Sequence, residues 1–148
     1  MESLGFEVRF IGRKIKGIEN VKLPFRVDRL NCWINSGFLF YLEFNIRLLL
    51  KLLGIRNSIL LSVDPDTLLA NWICKIIKGN PLVIDMHEWF VGVPELQNHP
   101  IKQKLWVTIE RIGINASDAR YTVNKSIANL YFDRYGYCLL YTSDAADD

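Results

Sequence analysis

The chain has 148 residues, half of them hydrophobic, enough for one domain with a real core. Its net charge of +2 is too small to make nucleic acid an expected partner. The three cysteines, Cys32, Cys74 and Cys138, show no CxxC or metal-ligand spacing, so they read as thiols of a reducing compartment and no metal is expected.

The opening residues, MESLGFEVRF, lack a basic start followed by an apolar run, so no signal peptide is expected. MESLG reads as the tail of a helix capped by Gly5, which implies a missing upstream element. Residues 6–12, FEVRFIG, alternate apolar and polar and predict a strand. Residues 13–22 are basic and predict a loop, 25–30 a weaker strand, and 31–37 a turn region.

Residues 38–53, FLFYLEFNIRLLLKLL, predict a helix too short and too charged to span a membrane. Glu43, Arg47 and Lys51 recur every fourth residue and form one polar stripe. Two readings stand: a helix whose apolar face covers a sheet, or a helix lying on a membrane surface. Residues 58–63, SILLSV, predict a strand of the buried type. Asp64-Pro65-Asp66 closes it, with Asp64 as the expected N-cap of the next helix and Pro65 at its first position. Leu68, Leu69, Trp72, Ile73, Ile76 and Ile77 fall on one face of that helix, and Gly79 ends it.

Residues 81–96, PLVIDMHEWFVGVPEL, form the centre of the chain. Leu82-Val83-Ile84 is an unalternating, β-branched run suited to a strand buried on both faces. Asp85, His87 and Glu88 follow at once, where open α/β sheets bind their ligands. A loop leads to a helix over 101–114, with Ile101, Leu105, Ile109 and Ile112 as its apolar stripe. Residues 119–123 predict a short strand, and Asn124 caps a last helix over 125–135 that Gly136 closes. Strand–helix alternation of this kind predicts an α/β fold with a doubly wound, mostly parallel, Rossmann-like sheet.

The tail, 138–148, reads CLLYTSDAADD and continues no earlier pattern. It resembles the translation of a sequencing adapter read through in frame, and is expected to pack poorly and add nothing to a site. The other reading is a natural strand followed by an acidic end.

VIDMHEWF with VPEL, then KLW, IER, ASDARYTVNKSIANLY and RYG, together resemble the amino-terminal domain of retaining family-four glycosyltransferases of the two-domain GT-B architecture. The turn DPDTL is similar to bacterial members acting on surface polysaccharides. The resemblance covers roughly residues 4–136. It implies that residues 1–137 are a partial, acceptor-side domain. In such enzymes the second domain holds the nucleotide-sugar donor, through a basic pair and a carboxylate-rich motif. That domain is absent here, as are the first strand and its glycine-rich loop. The absent strand would lie between residues 6–12 and 58–63, leaving two open edges or forcing them to pair. The implied parent moves a sugar from a nucleotide-sugar donor to a carbohydrate or lipid-linked acceptor with retention. It needs no other cofactor, sits in the cytoplasm or peripherally at the inner face of the membrane, and this fragment alone is inactive. A GT-B sugar-nucleotide epimerase and a non-catalytic α/β binding domain are the alternatives.

The resemblance implies His87 as the catalytic-site residue, able to donate or accept a hydrogen bond near neutral pH. Its alternative is a histidine that caps the strand end. Glu88 either binds sugar hydroxyls or orients His87, or is a solvated acid. Asp64, Asn124 and Lys125 are the remaining substrate-binding candidates, with helix capping as the plain alternative. Asp85 is expected to satisfy loop N–H groups. Trp89 and Phe90 either stack on a sugar or pack inward, and His99 reads as a loop histidine.

Overall fold

A computed structural model of the chain describes residues 5–15 and 23–141. The helix tail expected over residues 1–4, most of the basic loop (16–22) and the end of the tail (142–148) lie outside them.

Strand β1 (Arg9–Arg13) pairs in parallel with β2 (Arg26–Leu30). A second sheet runs in the order β3 (Leu60–Val63), β4 (Leu82–Met86), β5 (Ala119–Thr122) and β6 (Leu140–Tyr141), parallel throughout. Helices α1 (Gly37–Leu53), α2 (Leu68–Lys78), a short α3 (Pro94–Gln97), α4 (Pro100–Ala116) and α5 (Lys125–Tyr135) connect them. Parallel pairs need crossovers, and α2, α4 and α5 supply them between β3, β4, β5 and β6, so the fold is Rossmann-like α/β as the alternation predicted. The sheet, however, is in two pieces. Among the described residues β1 pairs only with β2, and β3 only with β4 on the side away from β5 and β6, so the two expected neighbours of an absent strand do not close on each other.

Strand β4 is paired on both sides, and Leu82, Ile84 and Met86 are fully buried. Phe44, Leu48 and Leu52 of α1 join them, with Leu60, Leu68, Cys74, Ile114 and Tyr131, in one apolar core. Gly79 and Gly136 stop α2 and α5 in the left-handed conformation that the sequence anticipated.

Four expectations change. In α2 the buried line is Leu68, Ala70, Asn71 and Cys74, while Ile76 and Ile77 are 64% and 60% exposed. Small residues face inward because α2 lies against α1, and Asn45 pins the two: its Oδ1 accepts from Ala70 N–H at 3.0 Å and its Nδ2 donates to Asp66 O at 2.8 Å. In α4 the buried line is Trp106, Glu110, Gly113 and Ile114, and Ile101 is 85% exposed. The α1 helix covers the core with one face, yet its opposite face is also apolar and stays exposed through Leu39, Leu42, Ile46 and Leu50. The tail packs better than expected: Leu139 is buried and Leu140–Tyr141 pair with β5. The reversal at Gly136 returns the chain along the open edge of β5, and backbone pairing accepts any extended segment there.

Helix α4 approaches α2 so closely that a Cβ on Gly113 would lie 2.1 Å from Leu68 Cδ2. Gly113→Ala should therefore lower the thermal midpoint, because overpacking a fully buried leucine costs about 1–3 kcal/mol. That outweighs the helix-propensity gain of up to about 1 kcal/mol. A midpoint at or above wild type in a thermal melt would show that the two helices separate at little cost.

Candidate functional site

Three parallel strands deliver their carboxyl ends side by side. The registers Val63↔Asp85 and Met86↔Thr122 place Asp64, the His87–Glu88 pair and the Asn124–Lys125 pair beyond adjacent strand ends.

Asp64 is the most constrained of these. Its backbone has φ 55° and ψ 170°, a combination that side-chain-bearing residues rarely adopt and that costs about 1–3 kcal/mol. Two hydrogen bonds hold it there. Its N–H donates to Asp85 O at 2.9 Å, and its Oδ1 accepts from His87 N–H at 2.9 Å. Asp64 thus occupies the expected cap position before a 3-10 turn (Pro65–Thr67), but its side chain caps nothing in that turn. It clamps the end of β3 to the exit of β4 instead. Burial raises its carboxyl pKa, which the His87 N–H and ring charge partly offset. Asp66, two residues on, is pushed up to about 6 by burial and by the neighbouring Asp64.

The His87 side chain is half exposed, and its Nε2 lies 2.7 Å from Asp85 Oδ2. This hydrogen bond, together with the charges of Asp85 and Asp64, holds the imidazole pKa above its ordinary value. Asp85 itself is 9% exposed, and its Oδ1 has no hydrogen-bond partner among the described residues. Tyr121, its register partner on β5, is pushed up to about 12 by burial and by the same carboxylate. The role expected of Asp85 falls to Asp64, which takes the loop N–H, and the orienting of the histidine ring that was one reading of Glu88 falls to Asp85.

Glu88 is exposed, and its carbonyl accepts from the Tyr131 hydroxyl at 3.3 Å. Lys125 is exposed at the start of α5. Asn124 is a true cap, its Oδ1 accepting from Ile127 N–H at 2.9 Å, so that oxygen is already committed. Trp89 and Phe90 pack inward: Trp89 meets Tyr131 edge-on at 5.0 Å, and Phe90 meets Trp106 likewise at 5.0 Å. His99 is exposed at the start of α4, as the loop reading held. No group of three His, Cys, Asp or Glu among the described residues could hold a metal ion.

Glu110 was absent from the candidate residues, because a glutamate on an amphipathic helix reads as solvated. It is fully buried below the loop, where Tyr131 donates to its Oε1 at 3.1 Å and Tyr135 to its Oε2. Burial pushes its pKa up to about 6, against the lowering effect of the two hydroxyls. Tyr131 has one proton to share between Glu110 and the Glu88 carbonyl. A protonated Glu110 donates its own, leaving the tyrosine proton for the loop.

No protein-family model matches this chain, and no curated protein sequence matches it significantly.

Two outcomes test this geometry. With Asp85→Asn the His87 pKa should fall, since the raising partner is gone; NMR titration of the ring reads it, with His99 as the only other imidazole to assign. An unchanged His87 pKa would deny the pairing. Glu110 binds a proton in the folded state over a pH interval where the unfolded chain has released it. Its contribution to stability should therefore be fully present below about 4.5 and be lost as pH rises through about 6, roughly 2 kcal/mol in all. Asp66, raised to about 6 as well, adds to the slope over the same interval, so in Glu110→Gln the slope of midpoints recorded across it should become shallower, and an unchanged slope would place its source outside Glu110.

Proposed function

We propose that this chain is the acceptor-side part of a retaining glycosyltransferase, in which a sugar passes from a nucleotide-sugar donor to a carbohydrate or lipid-linked acceptor. The observation carrying this reading is the half-exposed His87 imidazole, hydrogen-bonded to a buried carboxylate and anchored by its backbone to Asp64 at the carboxyl ends of parallel strands. An imidazole so held can donate a hydrogen bond toward a sugar hydroxyl or toward charge gathering on the leaving side. Exposed Glu88 and Lys125 flank it, with carboxylate and ammonium groups suited to sugar hydroxyls and anionic groups. The Asp85 partner fixes the ring orientation, so the group is positioned before ligand arrives. Donor binding would fall to a second domain, and the chain alone would transfer nothing.

Joined to a donor-binding domain, the enzyme should lose on the order of a hundredfold in turnover with His87→Ala, the usual scale for one positioned polar contact in a transition state. The half-exposed ring carries little packing, so the thermal midpoint should hardly move. Comparison of sugar transfer and melting for the two proteins decides it. Turnover equal to wild type would remove His87 from the site.

A further inference from the structure

Glu110, Tyr131 and Tyr135 form a buried polar set that the sugar-transfer reading leaves unused. Glu110 on α4 and Tyr131 on α5 are fully buried. The Tyr131 hydroxyl lies between two acceptors, Glu110 Oε1 at 3.1 Å and the Glu88 carbonyl at 3.3 Å. Tyr135 holds the other carboxyl oxygen, Oε2. The Phe90 backbone also hydrogen-bonds the Tyr131 hydroxyl, so that group meets the loop on both sides of Trp89. The Trp89 ring packs edge-on against Tyr131 at 5.0 Å, and the Arg134 guanidinium lies 5.5 Å from the centroid of the same indole.

Protons are too few for every contact at once. A tyrosine hydroxyl has one proton to donate, and a carboxylate has none. With Glu110 ionised, two hydroxyl protons face three acceptors: Oε1, Oε2 and the Glu88 carbonyl. A charged acceptor makes the stronger bond, so both protons go to the carboxylate and the carbonyl is released. With Glu110 protonated, three protons serve three bonds. Glu110 donates to the Tyr131 oxygen, Tyr131 to the Glu88 carbonyl, and Tyr135 to the remaining carboxyl oxygen.

We propose that Tyr131 is a positioning residue for the loop that carries His87 and Glu88, holding the Glu88 carbonyl when Glu110 carries a proton and releasing it when Glu110 is ionised. Glu88 directly follows His87, so its carbonyl fixes the direction in which the loop leaves β4. Burial pushes the Glu110 pKa up to about 6, so the latch is closed in mild acid and open at neutral pH. Of the charges that face Glu110, Arg134 on α5 favours ionisation and Asp64 at the end of β3 opposes it. Helix α4 also packs on the 3-10 turn that holds Asp66, itself raised to about 6, and on β4, whose Asp85 pairs with His87. The bearing of the latch on turnover rests on the sugar-transfer reading, and the latch itself does not.

The test is the amide nitrogen of Trp89, which shares a peptide bond with the Glu88 carbonyl, followed by NMR in the full chain from about pH 5 to about pH 7.5. In the wild type it should titrate with a midpoint at about 6. A separate step at higher pH, from His87, should be common to all the chains. Glu110→Gln keeps a donor and an acceptor without the charge, so the resonance should stay at its low-pH position through the lower step. Tyr131→Phe keeps the ring and its contact with Trp89 but lacks the proton, so the resonance should stay at the opposite end. A pair that only filled space would not lock the loop at opposite ends. Asp66→Asn should leave the step in place. The proposal is overturned by a wild type without a step at about 6, by a Tyr131→Phe chain that titrates as the wild type does, by a Glu110→Gln chain at the high-pH position, or by a step that disappears with Asp66→Asn. Tyr131→Phe decides alone if Glu110→Gln does not fold. None of these measurements uses sugar transfer, so the latch and the sugar-transfer reading fail separately.

Discussion

Strand β4 is hydrogen-bonded on both edges, to β3 and β5, and the rest of the structure follows from that position. A strand so placed has no edge for water, so its interior residues must be apolar, and Leu82, Ile84 and Met86 are fully buried. Ionisable groups are tolerated only where the strand leaves the sheet. Asp85 stands at that boundary, buried but in reach of a ring that can carry the opposite charge. The parallel register then brings the end of β3 alongside, and Asp64 completes the junction with bonds in both directions. The imidazole is held by its ring on one side and its backbone on the other, which makes the site a property of the strand junction more than of the loop.

Beneath that junction two fully buried polar side chains find partners on other elements. Glu110 has two tyrosine hydroxyls, and Thr122 donates to Met86 O at 2.6 Å where β5 leaves the sheet. At the opposite end of β4 the exposed Asp118 accepts from Leu82 N–H at 2.7 Å and pairs with Lys75. Each bond crosses between elements, so each restricts how the helices sit on the sheet. Leaving Glu110 or Thr122 unpaired in its buried place would cost about 1–3 kcal/mol. The Tyr131 hydroxyl links the two levels, because it touches both the buried acid and the loop that carries His87 and Glu88.

The upper part of the chain is organised differently. The β1–β2 pair is tied by charge, with Asp28 meeting Arg9 on the neighbouring strand and Lys51 of α1 at 3.4 Å. Its carboxyl pKa is lowered by those cations despite the opposing effect of burial. Helix α1 connects this pair to the larger sheet, using one face for the core and leaving the other apolar and open.

By itself the sequence determined whatever depends on neighbours a few residues apart. The alternation of strands and helices, the Asn124 cap, the glycine stops at Gly79 and Gly136, and the buried character of residues 82–86 all rest on short-range periodicity and backbone preference. His87 at a strand end was legible for the same reason. Only the tertiary structure decided which partners those residues meet. Asp64 and His87 are 23 positions apart, Tyr131 and Glu110 are 21 apart, and Tyr131 and Glu88 are 43 apart. Asn45, which looks like one more polar residue on a surface helix, is buried as the pin between α1 and α2. Periodicity shows that a helix has an apolar stripe, but an inward line of small or polar residues can win where two helices press close or a buried acid finds two hydroxyls. That choice is made by packing and strand register, which bring together side chains that no local pattern connects.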